Sequence, residues 1–260
     1  MVDDARSNGA GNAPGTTGTL APHGVLPGYY QRPQEREGFV QNLFDETAPD
    51  YDRISRLLSF GSDRWYRRKV LRRSGVGATT RLLDVATGTG LVVDAALAAG
   101  CQPRNIVGLD PSLGMLAAHG NRGRIALVRG RGEDLPFRAR QFDLVTMGYA
   151  VRHVADLQRL FRECQRVLRP GGRIVLMEIT RPSSGILRFL IRAYFSSMVP
   201  VLLGWRRRAR AAELLAYYWA TIEACVPPAV VAAALTGAGF TEVSARRVGP
   251  ALTDYEALRP

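Results

Sequence analysis

Lysine is nearly missing from this 260-residue chain. Lys69 stands alone among 35 basic residues, and arginine supplies the others. Against 23 acids this gives a formal charge of +12. Arginine bias of this kind reflects a GC-rich genome as much as any function. A field of that size attracts nucleic acid, acidic lipid or an anionic substrate, and charge alone does not choose among them. Cysteine is scarce too. Cys101, Cys164 and Cys225 are odd in number and far apart, which excludes a disulfide frame and a zinc cluster and points to buried thiols in a reducing compartment. No spacing of His, Cys, Asp or Glu suggests a metal centre, so no metal is expected. The first residues carry Asp3 and Asp4 with no apolar core, so neither a signal peptide nor a transit peptide is expected.

What is present is an alternation of short apolar strands with helices. Strands read at Arg81–Ala86, Ile106–Asp110, Ile125–Arg129, Phe142–Met147 and Arg173–Ile179, and helices at Leu91–Ala99, Ser112–His119 and Leu157–Leu168. That pattern predicts an α/β fold of the Rossmann-like kind: a mostly parallel sheet, seven-stranded or shortened, with right-handed crossovers and helices on both faces. Residues 1–38, rich in Gly, Pro, Thr and Asn, read as a disordered leader. Residues 39–260 then form one domain. Within it, 39–75 supply amino-terminal helices with a break at Ser59-Phe60-Gly61, and 182–222 insert an apolar helical cap. A helix near Pro228–Thr236 and a strand at Phe240–Arg247 resume the sheet. Gly249–Pro260 makes a poor strand, so an irregular closing element is expected there.

The most informative segment is Leu82-Leu83-Asp84-Val85-Ala86-Thr87-Gly88-Thr89-Gly90, with Asp110 twenty residues past Gly90. A strand runs into a tight glycine turn and a helix, and the next strand ends on a carboxylate. Such a carboxylate accepts hydrogen bonds from both ribose hydroxyls of an adenosine. A dinucleotide site would want a small residue where Val93 stands and no acid beside it, yet Asp94 follows. Asp84 repels phosphate and suits a cation. S-Adenosylmethionine has adenosine, ammonium and sulfonium but no phosphate, and is the expected methyl donor.

From about Phe39 to Arg247 the chain resembles the ubiquinone/menaquinone biosynthesis C-methyltransferase family, within the class I methyltransferases. The resemblance rests on Phe44-Asp45-Glu46-Thr47-Ala48-Pro49-Asp50-Tyr51-Asp52, Leu58-Ser59-Phe60-Gly61, the Asp84–Gly90 loop, and Gly108-Leu109-Asp110 with Met115-Leu116. Gly132-Glu133-Asp134-Leu135-Pro136-Phe137, Phe142-Asp143, Val151-Arg152-His153-Val154 and Arg166-Val167-Leu168-Arg169-Pro170-Gly171-Gly172 complete it. It implies that Gly88, Thr89 and Gly90 hold the methionine part of the donor, with Asp84 and Met115 in the same site. It also implies that Asp110 holds the ribose and that Arg131, Gly132 and Glu133 face the adenine. Gly148 would line the site and Tyr51 would close over it. Tyr149, Arg152, Phe195 and Tyr217 are the implied substrate residues, and C-methylation of a quinone or related phenolic ring is the implied activity. The chain departs from the family at Arg131, where Asn or Asp is usual and arginine only donates. It departs again at Ala150-Val151-Arg152-His153, where Gly-Leu-Arg-Asn is usual. Most of the cap's usual polar residues and a clear last strand are also missing.

Methyl transfer needs alignment, exclusion of water and, for a phenol, a base or a cation beside the ring oxygen. Arg152 stabilises a phenolate and His153 accepts a proton, and both follow the fourth strand. O- or N-methylation of a small aromatic or specialised metabolite, and a non-catalytic binding protein of the same fold, remain open. The end of the fourth strand lacks the Asp/Asn-Pro-Pro-aromatic run used on flipped bases, so nucleic acid is not expected. The stretch Ile186–Trp205 reads as an amphipathic helix broken at Pro200, with Arg188, Arg192 and Ser196 on a narrow polar stripe. It fits a lid, a contact with anionic membrane that collects a prenylated substrate, or a homodimer interface. A cytoplasmic protein, peripheral at the inner face of the membrane in the second case, is the expectation.

Overall fold

A computed structural model describes residues 19–198 and 208–260, with side-chain surroundings given for 19–197 and 211–260. Two helices open it, α1 (Glu35–Thr47) and α2 (Tyr51–Leu58), joined by a 3-10 turn at Ala48–Asp50 and followed by α3 (Asp63–Arg73). The repeating part is β1 (Leu82–Val85), α4 (Leu91–Ala98), β2 (Ile106–Asp110), α5 (Leu113–Ala117), β3 (Ala126–Arg129), β4 (Phe142–Gly148), α6 (Leu157–Val167) and β5 (Leu168–Ile179). The cap supplies α7 (Gly185–Ala193), a π-helical turn at Tyr194–Met198 and α8 (Arg208–Ala224). Last come α9 (Pro228–Gly237), β6 (Thr241–Val248) and β7 (Leu252–Leu258).

The seven strands order as β3-β2-β1-β4-β5-β7-β6. β1 to β5 are parallel, while β7 runs antiparallel to both β5 and β6. The strand order reverses between β1 and β4, which opens a crevice at their carboxyl ends, where sheets of this type bind ligands. β1 is buried on both faces, as a central parallel strand must be. One core cluster, including Val145, Leu160, Phe161 and Ile174, packs under α6 and α9. A second, including Val70, Leu82, Val93 and Val175, packs under α3 and α4. A third, around Leu43, Ile54, Leu214 and Tyr217, ties the amino-terminal helices to α8.

Three expectations need correction. The closing segment is no irregular tail: Leu252–Leu258 is a full strand wedged between β5 and β6. It reads as a poor strand because Asp254 and Glu256 interrupt it. Asp254 is buried, but Tyr66 Oη donates to it at 3.4 Å and Arg73 forms an ion pair with it. Glu256 is matched by Arg173 at 2.9 Å. The leader also ends early. Residues 1–18 lie outside the described residues, but 19–38 are ordered against the domain: Leu157 N donates to Leu20 O at 2.9 Å and Val226 N to Pro22 O at 2.8 Å. Arg36, buried, binds the His23 carbonyl at 2.5 Å and the Val154 carbonyl at 2.9 Å. Main-chain bonding of this kind leaves no hydrophobic signature. Finally, β5 takes in the Arg169-Pro170-Gly171-Gly172 turn, with a register shift opposite Phe142–Leu144. The Pro200 break and the rest of 199–207 lie outside the described residues.

Candidate active site

The glycine turn after β1 is held from below. Asp84 is fully buried, and Thr87 Oγ1 and Thr146 Oγ1 each donate to it at 2.7 Å. Burial raises its pKa to about 6 against the pull of those two hydroxyls and of the Arg67 charge. Gly90 has φ +95°, and a Cβ there would fall 2.5 Å from the His119 ring, so only glycine fits. His119 Nε2 lies 3.3 Å from Thr87 Oγ1, and its Nδ1 accepts from Asn121 N at 3.0 Å. This histidine is a prop for the turn.

Above the turn lies a cavity of about 430 Å³ walled by the carboxyl ends of β1, β2 and β4, by residues 131–133 and 153–155, and by α1. Asp110 faces it. One carboxylate oxygen accepts from Gly88 N at 2.8 Å and the other from Ser112 N at 2.9 Å. These bonds lower the pKa, but burial outweighs them and holds it at about 6. A buried carboxylate at a cavity wall is costly unless a ligand's donors complete it. Met115, Gly132, Gly148, Tyr149 and Tyr51 also line the space. A Cβ on Gly132 would lie 2.5 Å from Leu160 Cδ1, and one on Gly148 would lie 2.7 Å from Val92 Cγ2. Glycine at both positions lets the cavity wall pack directly on the core side chains behind it. Ala86 and Tyr149 take positive φ values of 54° and 60° at the ends of β1 and β4. The backbone strain of these non-glycine residues thus flanks the crevice.

A second cavity of about 300 Å³ lies beyond Tyr51 and Tyr149, which wall both spaces. Its lining is mostly apolar and aromatic, from Ile54, Leu58, Phe60, Ile179, Ile191, Tyr194, Phe195 and Tyr218. Arg152 sits in its wall, 1% exposed. Its Nη1 pairs with Glu178 and donates to Tyr149 O at 2.9 Å, Nε donates to Thr221 at 3.2 Å, and the guanidinium lies 4.8 Å from the Tyr218 ring centre. Burial opposes its charge, yet the facing Glu178 carboxylate holds its pKa above the ordinary arginine value.

The structure therefore separates residues that the sequence places side by side. Arg152 turns to the second cavity, whereas His153 borders the first. His153 is packed between Phe44, Tyr217 and Tyr218 with ring centres 5.3–5.8 Å away. Burial, and then the charges of Arg152, His23 and Arg36, push its pKa well below the ordinary value, so the ring is neutral. Tyr217 lines neither cavity; it is fully buried, with its hydroxyl 3.4 Å from His153 Nδ1. Asp84, Thr89 and Gly90 do not line the first cavity. Arg131 lines it but points to Glu37 on α1, with which it pairs, and Glu133 is engaged by Ala155 N at 2.7 Å.

Other groups escaped the sequence. Asp45 accepts from Ser112 Oγ at 2.5 Å and Gly114 N at 2.8 Å, and Asp52 accepts from Thr89 Oγ1. These two acids stand in the amino-terminal motif, which was their signal. His23, Gly24 and Val25 wall the first cavity from the supposed leader, and nothing in the sequence announces them. Among the described residues no group of three or more His, Cys, Asp or Glu could hold a metal ion, and no single helix is long and apolar enough to cross a membrane.

Residues 31–252 match the model of the ubiE/COQ5 methyltransferase family. A demethylmenaquinone methyltransferase from Mycolicibacterium paratuberculosis is 34% identical over 226 residues, spanning 85% of this chain and 94% of that protein. A ubiquinone/menaquinone biosynthesis C-methyltransferase from Geotalea daltonii is 37% identical over 172 residues, 64% of this chain and 73% of that one. Among solved structures, a possible histamine N-methyltransferase from Thermotoga maritima superposes with a TM-score of 0.58 at 17% identity, covering 85% of this chain and 99% of that one. An S-adenosylmethionine-dependent methyltransferase from Aquifex aeolicus gives 0.56 at 14% identity, over 89% and 100%. At such identities the likeness is one of fold.

Proposed function

The chain belongs to the ubiE/COQ5 methyltransferase family and is an S-adenosylmethionine-dependent methyltransferase, and we propose that it methylates a ring carbon of a reduced quinone. The observation that carries this reading is the pair of cavities sharing Tyr51 and Tyr149, one walled by Asp110 and close-set glycines, the other aromatic with a buried arginine. The donor supplies an electrophilic methyl group on a sulfonium. Asp110 accepts from the ribose hydroxyls; Met115 and Gly132 flank the adenine; Gly88 and Gly148 give backbone contact to the methionine part; Tyr51 closes the site. Asp84, Thr89 and Gly90 hold the turn in shape. Arg131, held by Glu37, and Glu133 close the adenine end as a charged clasp.

Phe195 and Tyr149 wall the acceptor ring. Arg152 stabilises the negative charge that develops on a ring oxygen, and its Nη2 makes no hydrogen bond among the described residues. His153 lies on the donor side and takes no proton from the acceptor. The apolar and aromatic lining from Tyr218, Phe195 and Ile191 lowers the local dielectric, which strengthens that electrostatic contact.

The partner surface follows from the cap. α7 buries none of its residues, and Ile186, Phe189 and Leu190 are 77%, 70% and 56% exposed. Phe60, 81% exposed, stacks on Tyr194 at the rim of the acceptor cavity, and Trp65 lies beyond it. Arg64, Lys69 and Arg192 are exposed on the same elements. Apolar side chains beside basic ones fit peripheral contact with an anionic membrane at the cytoplasmic face, from which a lipid-tailed quinone would enter.

The test is turnover with labelled donor and a panel of reduced prenyl-quinones, simple phenols and amines, the methyl position read by NMR. Ring-carbon methylation is expected, and exclusive O- or N-methylation overturns the reading. Co-sedimentation with acidic vesicles at low salt, lost in a Phe189→Ser/Leu190→Ser variant, checks the surface.

A further inference from the structure

Asp63 is the single carboxylate among the described residues lining the acceptor cavity. It opens α3 and is 6% exposed. Its two protein contacts both fall on Oδ2: Arg67 Nη1 at 2.7 Å and Ser55 Oγ at 3.3 Å. Among the described residues none donates a hydrogen bond to Oδ1. An acid in a first helical turn, paired four residues on, helps a helix equally well from an exposed position. Setting it instead in an apolar space costs desolvation, which the ion pair with Arg67 and the bond from Ser55 offset only on the Oδ2 side. Arg67 is itself buried, 2% exposed, and its guanidinium lies 4.9 Å from the ring centre of Tyr149, the residue that divides the two cavities. Asp63 and Arg67 thus form a fixed unit at the junction where the methyl group must pass. Arg152 lines the same cavity.

We propose that Asp63 is the catalytic base, accepting the proton of the ring hydroxyl on the methyl acceptor, with Arg67 as its positioning residue. The inference rests on the acceptor reading given above. Proton transfer to Oδ1 raises the electron density at the neighbouring ring carbon. That carbon bonds to the methyl group as the methyl–sulfur bond breaks, and sulfur keeps the electron pair. The ring hydrogen at the methylated carbon then leaves to solvent, restoring aromaticity, and Asp63 returns its proton to the ring oxygen. One proton is released per turnover.

The experiment compares the full chain with Asp63→Asn and Asp63→Glu on a reduced 2-prenyl-1,4-naphthoquinone, following kcat and KM against pH and measuring donor affinity by calorimetry. For the asparagine variant, kcat should fall about 10²- to 10⁴-fold near pH 7, the range of a lost general base, with donor affinity retained. The deficit should shrink about tenfold per pH unit towards the pKa of the acceptor hydroxyl, and should shrink again on a ring-fluorinated, more acidic acceptor. Asp63→Glu, which keeps a carboxylate, should retain more activity than asparagine and the pH slope of the unmodified chain. A deficit independent of pH and acceptor acidity, or undiminished turnover, overturns the assignment of Asp63 alone. Failure of the unmodified chain to methylate the probe overturns the acceptor reading, and this inference with it.

Discussion

The two cavities are built on different principles. The donor side is made by short motifs at the ends of neighbouring strands, where Gly90, Gly132 and Gly148 are required because a Cβ would collide with a ring or a core side chain. The acceptor side is assembled from the α2–α3 turn, the end of β4, the cap and the β6–β7 turn. Its shape depends on burial and on buried ion pairs, chiefly Arg152 with Glu178 and also Arg67 with Asp63. Local steric demands tolerate little variation, whereas a wall of apolar side chains accepts volume-conserving change at low cost. A fixed donor site beside an adaptable acceptor site is the expected result.

The largest effect that would test this contrast is at the ion pair. Arg152→Leu leaves Glu178, 2% exposed, as a buried charge without its partner, and should cost about 3–5 kcal/mol of stability. Adding Glu178→Leu should restore much of it. Denaturant unfolding measures both, and a loss within the error of extrapolation would show that the acceptor wall does not depend on this pair.

Next in size is the donor carboxylate. Asp110→Ala removes charge-assisted bonds of about 1.5–3 kcal/mol each, so affinity for S-adenosylmethionine should fall at least about tenfold in calorimetry. Folding stability should fall as well, because Gly88 N and Ser112 N lose their acceptor, so binding is measured where the variant is folded. Undiminished donor binding would break the assignment of the ribose to this residue.

The smallest effect is a pH dependence. Asp110 titrates at about 6 in the donor-free protein because burial disfavours its charge, against about 3.9 for a free aspartate. Between those values the native state binds the extra proton, so this group's contribution to stability declines as pH rises through the window and is constant above it. Ribose hydroxyls donate to the ionised form, so donor affinity should rise with pH up to about 6, by at most tenfold per unit, and then level. Calorimetry at about pH 5 and about pH 7.5, in buffers of differing ionisation enthalpy, reads both the affinity and the proton released. An affinity independent of pH would place the ribose away from Asp110.

What could be read in advance followed from how local each signal is. The parallel strands and the glycine turn were legible because apolar runs and turn residues report their own neighbourhood. β7 was not, since Asp254 and Glu256 look unfit for a central strand until Arg73 and Arg173 are seen beside them. Residues 19–34 were not, because main-chain bonds to Leu157 and Val226 carry no composition. His153 and Arg152 are adjacent in sequence, yet a 3-10 turn sends them to different cavities.

By itself the sequence determined the fold class, the methyl-donor chemistry and the position of Asp110, because the first follows from the alternation of strands and helices along the chain and the other two from spacing along one short stretch. Tertiary structure alone decided that Asp84 is buried beneath the turn, that His153 borders the first cavity, and that Asp63 lines the second. Those outcomes depend on which distant segments pack together, and burial and charge pairing act through space, not along the chain.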